Sequence, residues 1–346
     1  MENDQIRVAV VGCGGIGGVI AGVLARKLKG IACITGREDS ASLLNRNGVH
    51  VTGKKGEFIA RVHAYSTMNM VNSLFDIIII AVKSNQLREV FKETRDYLDE
   101  KGFILTVQNG VEMLKLKDEY PGVKLLAGAV GYNAIMLDYG KYHVTTGGGI
   151  TIGVLSRGSY EDVLLLKKLL KPEIRVKYTK NPEGLLWSKL LIVCGVTGLG
   201  GVSGLLTGEL LRYRVARRLF YAIIAEGSKV ARKRGIKLER FGGAINPERF
   251  SNDKRGFPIF IRYLLLRLIG VKYRNLKSNI HHSIEREKPT EVYYLNGAIV
   301  REGESLGIET PFNRIVVRVI EEIERHERSM GVKNLYDIWK ISTEKG

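Results

Sequence analysis

Cysteine is scarce in this 346-residue chain: Cys13, Cys33 and Cys194 are the only three, and no two form a spaced pair. That excludes a disulfide framework and a cysteine-based metal cluster, and points to a reducing, cytoplasmic compartment. No basic segment leads into an apolar stretch at the N-terminus, so no secretory leader is expected. No internal repeat or low-complexity tract stands out. Acidic residues are also in short supply, with 36 Asp and Glu against 54 Lys and Arg, a formal net charge of +18.

The deficit of acids is uneven. From Lys229 to Lys277 there are fourteen Lys or Arg against three acids, Glu239, Glu248 and Asp253. Inside this stretch runs the apolar segment 257–269, broken by Arg262 and Arg267 and too short to span a bilayer. Such a segment can lie on an anionic membrane surface, or it can be a helical insertion whose apolar side packs on its domain. Packing is the expected arrangement. Nucleic acid is a weaker reading, because no recognition-motif spacing accompanies the charge.

The chain is long enough for two domains. In the first half, apolar runs alternate with helical patterns. Residues 6–11 are followed by Gly12-Cys13-Gly14-Gly15-Ile16-Gly17, then by Ile20, Val23 and Leu24 at helical spacing. Strand, glycine turn and helix in that order deliver unpaired N–H groups to a pyrophosphate. Gly12 permits the turn, Gly14 lets backbone approach phosphate, and Gly17 lets helix pack on strand. Further strands are expected at 31–35, 75–82, 102–107, 125–130 and 149–153. The pattern predicts a doubly wound α/β sheet. From about residue 182 the runs become helical, at 185–196, 205–234, 278–306 and 312–328, with a frayed tail over 342–346.

The second strand ends in Gly36-Arg37 instead of the acid that holds a ribose 2′-hydroxyl. A guanidinium there suits a 2′-phosphate and so predicts NADP(H); the alternative is a solvated Arg37 with Glu38 or Asp39 on the ribose. Lys83 and Asn109 directly follow buried strands, on the side where such sheets bind ligands. Lys189 stands in an apolar helix. Burial lowers an ammonium pKa toward that of a proton donor near neutrality, although a snorkelling lysine has the same surroundings. Val193 and Thr197 follow it at i+4 and i+8. Glu291 is the matching acid, and its residue type is also common in first helical turns.

Together, 12–17, Val82-Lys83-Ser84-Asn85-Gln86, Gln108-Asn109-Gly110, Trp187-Ser188-Lys189-Leu190 and the run from Thr290 to Gly297 resemble the ketopantoate reductase (2-dehydropantoate 2-reductase) family. The similarity covers nearly the whole chain except the basic segment, 253–275, which looks like an insertion. It implies a Rossmann domain (1–180), an all-α domain for substrate and dimerisation (181–346), and an active site in the cleft. The implied reaction is NADPH-dependent reduction of a 2-oxo acid, most directly ketopantoate to pantoate on the way to coenzyme A. Lys189 would protonate the ketone oxygen, and Glu291 would contact cofactor or substrate and hold Lys189. Gly12, Cys13, Gly14, Gly15, Ile16, Gly17, Arg37, Lys83, Asn109 and Ala134 would hold the cofactor.

The same resemblance places substrate beside Asn109, Lys189, Val193, Thr197, Thr207, Ser278 and Asn279. There the chain departs from the family. Asparagines that pantoate-forming members carry read Val193, Thr197 and Thr207 here, and a substrate-binding serine aligns with Asn279, next to Ser278. A reductase of another oxo acid is therefore a standing alternative. From a different class, an NADP-binding regulatory or membrane-peripheral protein is another.

Overall fold

The computed structural model describes residues 6–241, 246–251 and 258–344. The chain divides into two compact units, Met1–Gln108 with Glu112–Pro182, and Asn109–Val111 with Glu183–Gly346. The strands of the first unit are β1 (Val8–Val11), β2 (Ala32–Ile34), β3 (Val49–Gly53), β4 (Phe58–Ala60), β5 (His63–Tyr65) and β6 (Phe75–Ile80). They continue with β7 (Leu98–Thr106), β8 (Leu125–Val130), β9 (Ala134–Asp138), β10 (Lys141–Val144), β11 (Ile150–Ser156) and β12 (Val176–Thr179).

Eight of them form one sheet in the order β12-β11-β8-β7-β6-β1-β2-β5. The six from β5 to β8 are parallel, and β1, β2, β6 and β8 among them are the buried apolar runs expected of strands covered on both faces. β11 reverses direction against β8, and β12 runs parallel to β11. Because β1 lies between β2 and β6, the chain leaves it on both sides, and the topological switch point falls at the carboxyl end of β1.

A second sheet, β4-β3-β10-β9, is an addition to the predicted architecture. It rests on the Gly15–Ala25 helix, and glycines make that contact. A Cβ on Gly15 would lie 2.2 Å from the Ala134 carbonyl oxygen, one on Gly18 2.1 Å from the Tyr142 ring, and one on Gly22 2.6 Å from Val49. The 15-18-22 spacing is one helical face. The Tyr142 hydroxyl donates to the Cys13 carbonyl at 2.8 Å, tying the second sheet to the glycine loop.

The helical unit is built around the amphipathic Arg214–Lys233 helix, the Pro182–Val193 helix and the Pro311–Glu324 helix. The stretch Pro182–Ser203 is long and apolar enough to cross a membrane, but 83% of its apolar 18-residue window is buried inside the fold, as in a core helix. Three helical expectations are corrected. The 278–306 run is three pieces, Asn279–Glu285, the turn Val292–Tyr294, and Asn296–Ser305. Pro289 disfavours helix before it, and Leu295 leaves helical angles at φ −105°, ψ −97°. The 205–234 run breaks between Thr207–Leu210 and Arg214–Lys233. The tail is not frayed from 342: the last helix, Val332–Glu344, buries Ser342.

The basic insertion also departs from expectation. Of its residues 253–275, those from 253 to 257 lie outside the described residues, and Ile259–Lys272 forms a helix. That helix covers only part of its apolar surface. Arg262, Leu266 and Gly270 are buried and Ile261, Leu265 and Ile269 half-buried, while Phe260, Leu264, Leu268 and Val271 stay outside.

Candidate active site

In the first unit, a cavity of about 360 Å³ opens at the switch point. The glycine loop, the end of β2, the Ser66–Met68 segment and the segment after β6 form its walls, with Gly12, Cys13, Gly14, Thr35, Gly36 and Lys83 among them. Gly12 has φ +90°, which an L side chain rarely adopts, and a Cβ there would meet Val82 at 2.7 Å. Gly17 would place a Cβ 2.0 Å from the Gly12 carbonyl oxygen, so the helix closes on the strand end only without a side chain. Around Gly14 the space is open: a Cβ would meet nothing within 4 Å. The loop is therefore tight where it packs and bare where a phosphate would approach. The residues fit a dinucleotide.

Gly15 and Ala134 meet each other, and Ile16 is partly buried against the core. Lys83 is exposed, between β6 and the short turn Ser84–Gln86. Arg37 is exposed too and stands just before the Glu38–Asn47 helix. Its backbone is pinned by Thr35, whose hydroxyl donates to the Arg37 carbonyl at 2.7 Å and accepts from the Arg37 N–H at 3.3 Å. Glu38 and Asp39, the alternative ribose ligands, occupy the first turn of that helix and are exposed. One cavity residue had no motif to announce it. Ser40, in the same first turn, is buried and its hydroxyl has no hydrogen-bond partner. A serine in a helix start is ordinary, so only its burial in the cavity wall marks it.

Cys13 and Cys33 are side by side at the base of the loop. The hydrogen bond with Cys13, followed by burial, raises the Cys33 thiol well above its ordinary pKa, so it stays protonated.

In the second unit, Lys189 lies on the Pro182–Val193 helix, 5% exposed, between the buried Ser188 and Leu190. Burial lowers its pKa from 10.5 to about 8, against the opposing pull of the Glu291 carboxylate. The structure therefore brings these two residues into electrostatic contact. Glu291 is half-buried and precedes a turn of only three residues, Val292–Tyr294. A full helix dipole is absent there, and the charge acts on Lys189 instead.

The helix continues only to Val193. Residues Cys194–Gly198 form a wide π-type turn before the chain resumes as Leu199–Ser203. Gly195 accepts the Phe220 ring there, where a Cβ would lie 2.6 Å from it. The α-helical stripe linking Lys189 to Val193 thus stops short of Thr197, whose direction the wide turn sets. Val193 is half-buried and Thr197 buried. π-Turns recur at functional sites.

The other positions are occupied by architecture. The Thr207 hydroxyl donates to the Leu276 carbonyl at 3.0 Å. Ser278 caps the Asn279–Glu285 helix, accepting from His281 N–H at 3.1 Å, and Asn279 is exposed. Asn109 is half-buried in the 109–111 segment that clusters with the helical unit.

A nucleotide-binding sheet topology with a glycine cradle, joined to a helical unit that carries a buried lysine, defines a class of oxidoreductase. Residues 8–157 match the family model described as ketopantoate reductase PanE/ApbA, and residues 181–324 match its C-terminal model. The chain belongs to this family of NADP-dependent oxidoreductases. It is 24% identical to a 2-dehydropantoate 2-reductase of Archaeoglobus fulgidus over 92% of this chain and 98% of that one. Among solved structures, a PanE/ApbA family ketopantoate reductase from Ralstonia eutropha has a TM-score of 0.78 at 24% identity, covering 93% of this chain and 99% of that one. A D-mandelate dehydrogenase bound to NADH and anilino(oxo)acetate gives 0.79 at 18%, with the same coverage. These likenesses in structure are likenesses of fold.

Proposed function

We propose that this protein reduces a 2-oxo acid with NADPH, ketopantoate to pantoate being the first reaction to test. Residues 1–180 serve as the nucleotide domain and 181–346 as the substrate domain. The observation that carries the reading is Lys189: an ammonium held in a buried, apolar helix, with Glu291 as the charge that acts on it.

Reduced nicotinamide, when bound, supplies the hydride that adds to the carbonyl carbon. Gly12, Gly14 and the helix start at Gly15 offer backbone N–H groups to the pyrophosphate. Arg37 takes the 2′-phosphate, and the unpartnered Ser40 hydroxyl has a donor to give it. Lys83, Asn109 and Ala134 stand at the nicotinamide side. As hydride reaches the carbonyl carbon, negative charge grows on the oxygen. The Lys189 ammonium stabilises that charge and then gives its proton, leaving the 2-hydroxy acid. Glu291 keeps the lysine charged despite burial.

A second reading, reduction of a different 2-oxo acid, is favoured by the pocket positions. Val193 offers no hydrogen bond, and Thr207 has already donated its hydroxyl proton to Leu276. The test is a panel of ketopantoate and other branched 2-oxo acids, each with NADPH and NADH, followed by loss of nicotinamide absorbance. High kcat/KM for ketopantoate with NADPH supports the first reading. Turnover of another acid supports the second, and no turnover on any acid refutes both.

A further inference from the structure

The Ile259–Lys272 helix presents large apolar side chains to solvent along one side. Phe260, Leu264, Leu268 and Val271 are 68%, 55%, 57% and 72% exposed, and lie at i, i+4, i+8 and i+11. The inward side is held by other means: Arg262 stacks on the Tyr221 ring at 4.9 Å, Leu266 is buried, and Gly270 sits against Leu211. A buried cation and exposed leucines invert the usual arrangement of a surface helix. Contiguous apolar surface of this kind marks an interaction site.

The surrounding charge says with what. From Pro258 to Ile284 there is no acidic residue. Of the five cations in that stretch, Arg262 faces inward and Lys277 is paired with Glu285 at 2.7 Å, which leaves Arg267, Lys272 and Arg274. Arg267 and Lys272 are exposed on the helix itself. The Arg214–Lys233 helix adds Arg214 and Arg217. The Arg217 guanidinium lies 5.8 Å from the centre of the Tyr263 ring on the Ile259–Lys272 helix, and burial, then the like charges of Arg267 and Arg214, lowers its pKa. The Arg217 Nε is buried without a hydrogen-bond partner. Like charges gathered beside an apolar stripe are complementary to one surface above others, the headgroup and acyl boundary of an anionic bilayer. A two-fold contact with a second copy would bring two such clusters of like charge into one interface.

We propose that the Ile259–Lys272 helix is a membrane-surface anchor, lying in the plane of an anionic bilayer with Phe260, Leu264, Leu268 and Val271 among the acyl chains and Arg267 and Lys272 at the phosphates. This is independent of which oxo acid the enzyme reduces. The experiment is co-sedimentation of the full chain with phosphatidylglycerol–phosphatidylcholine vesicles and with phosphatidylcholine vesicles, at several salt concentrations. The wild type binds the anionic vesicles, less at high salt, and leaves the neutral ones. Leu264→Glu with Leu268→Glu lowers binding at least tenfold with unchanged circular dichroism. Arg267→Gln with Lys272→Gln, which leaves the apolar stripe intact, lowers it about 25-fold, roughly fivefold for each cation. Equal binding to both vesicles, or to neither, overturns the proposal. So does a lipid-free dimer by sedimentation that Leu264→Glu with Leu268→Glu splits, because a second copy would then be the occupant.

Discussion

Replacing Lys189 by methionine separates catalysis from stability, because the structure makes the two move in opposite directions. The side chain is buried, and its pKa falls from 10.5 to about 8. At about 1.4 kcal/mol per pH unit, that difference is roughly 3 kcal/mol of destabilisation while the lysine is charged. The sign follows from proton binding. Between pH 8 and 10.5 the unfolded chain holds the proton and the folded chain has released it, so stability rises with pH across that window. Below pH 8 both states are protonated and the whole penalty is present. Lys189→Met removes the ammonium and keeps the volume. It should raise stability at pH 7 by up to about 3 kcal/mol, with the gain fading as pH passes from 8 to 10.5.

Turnover should move the other way. Loss of a positioned proton donor costs about 10²–10⁴ in rate. Steady-state assays with NADPH and a 2-oxo acid should show kcat reduced by that factor with NADPH affinity nearly intact. In the wild type, the reductive rate should decline as pH rises through about 8, since the protonated lysine is the active form. Glu291→Gln removes the charge that raises the lysine pKa, so that decline should shift to lower pH. Urea denaturation at pH 7 and 10, run beside the kinetics, supplies the second measurement. An unchanged kcat removes Lys189 from the mechanism. A variant less stable at both pH values would mean that the buried ammonium is not the costly group argued here.

Other outcomes follow from the nucleotide cradle and the helical core. Gly14→Ala, whose Cβ meets nothing, should leave the melting temperature in place while weakening NADPH binding by titration calorimetry. Gly17→Ala, aimed at a backbone oxygen 2.0 Å away, should destabilise the fold by about 1–3 kcal/mol. Arg37→Ala should weaken NADPH binding by about 10- to 100-fold and leave NADH unchanged, from a charge-assisted bond of about 1.5–3 kcal/mol; equal losses for both nucleotides would return Arg37 to solvent. Glu226 accepts from the Phe312 and Asn313 N–H groups, and burial pushes its pKa up to about 7. An acid held neutral by the fold loses its stabilising advantage as pH rises from 4.5 to about 7. Melting of Glu226→Gln should therefore gain on the wild type across that interval and level off above it.

The parallel strands were legible because burial on both faces writes itself as an apolar run. Residues 125–130, a continuous run, form β8 at the expected bounds. The second sheet was not expected because its strands are short and polar at their ends: β3 closes on Thr52-Gly53, β9 on Asp138, and β10 opens on Lys141. Yet its footprint stood in the sequence as Gly15, Gly18 and Gly22, a helix face cleared for a neighbour. The helix breaks near residues 212 and 295 escaped because periodicity does not register a single residue leaving helical angles. The insertion misled for a plainer reason. Composition gives a helix its apolar residues but not the direction they face, and here a cation–ring stack took the inward side.

Hydroxyl direction separates the substrate readings at the remaining pocket positions. Thr207 has committed its proton to Leu276 and can offer only an acceptor. It would repel a carboxylate oxygen and suits a group that donates. Ser278 accepts from His281 in its cap, so its own proton is still available to an oxyanion. An asparagine does both at once, which is why a threonine is no substitute for it. A 2-oxo acid whose hydroxyl or amide donates toward Thr207 while its carboxylate takes the Ser278 proton should outcompete one that presents only acceptors. Ketopantoate carries a single hydroxyl, and its kcat/KM against that of the acid lacking this hydroxyl measures whether Thr207 receives it. A ratio near one would place the substrate away from Thr207 altogether.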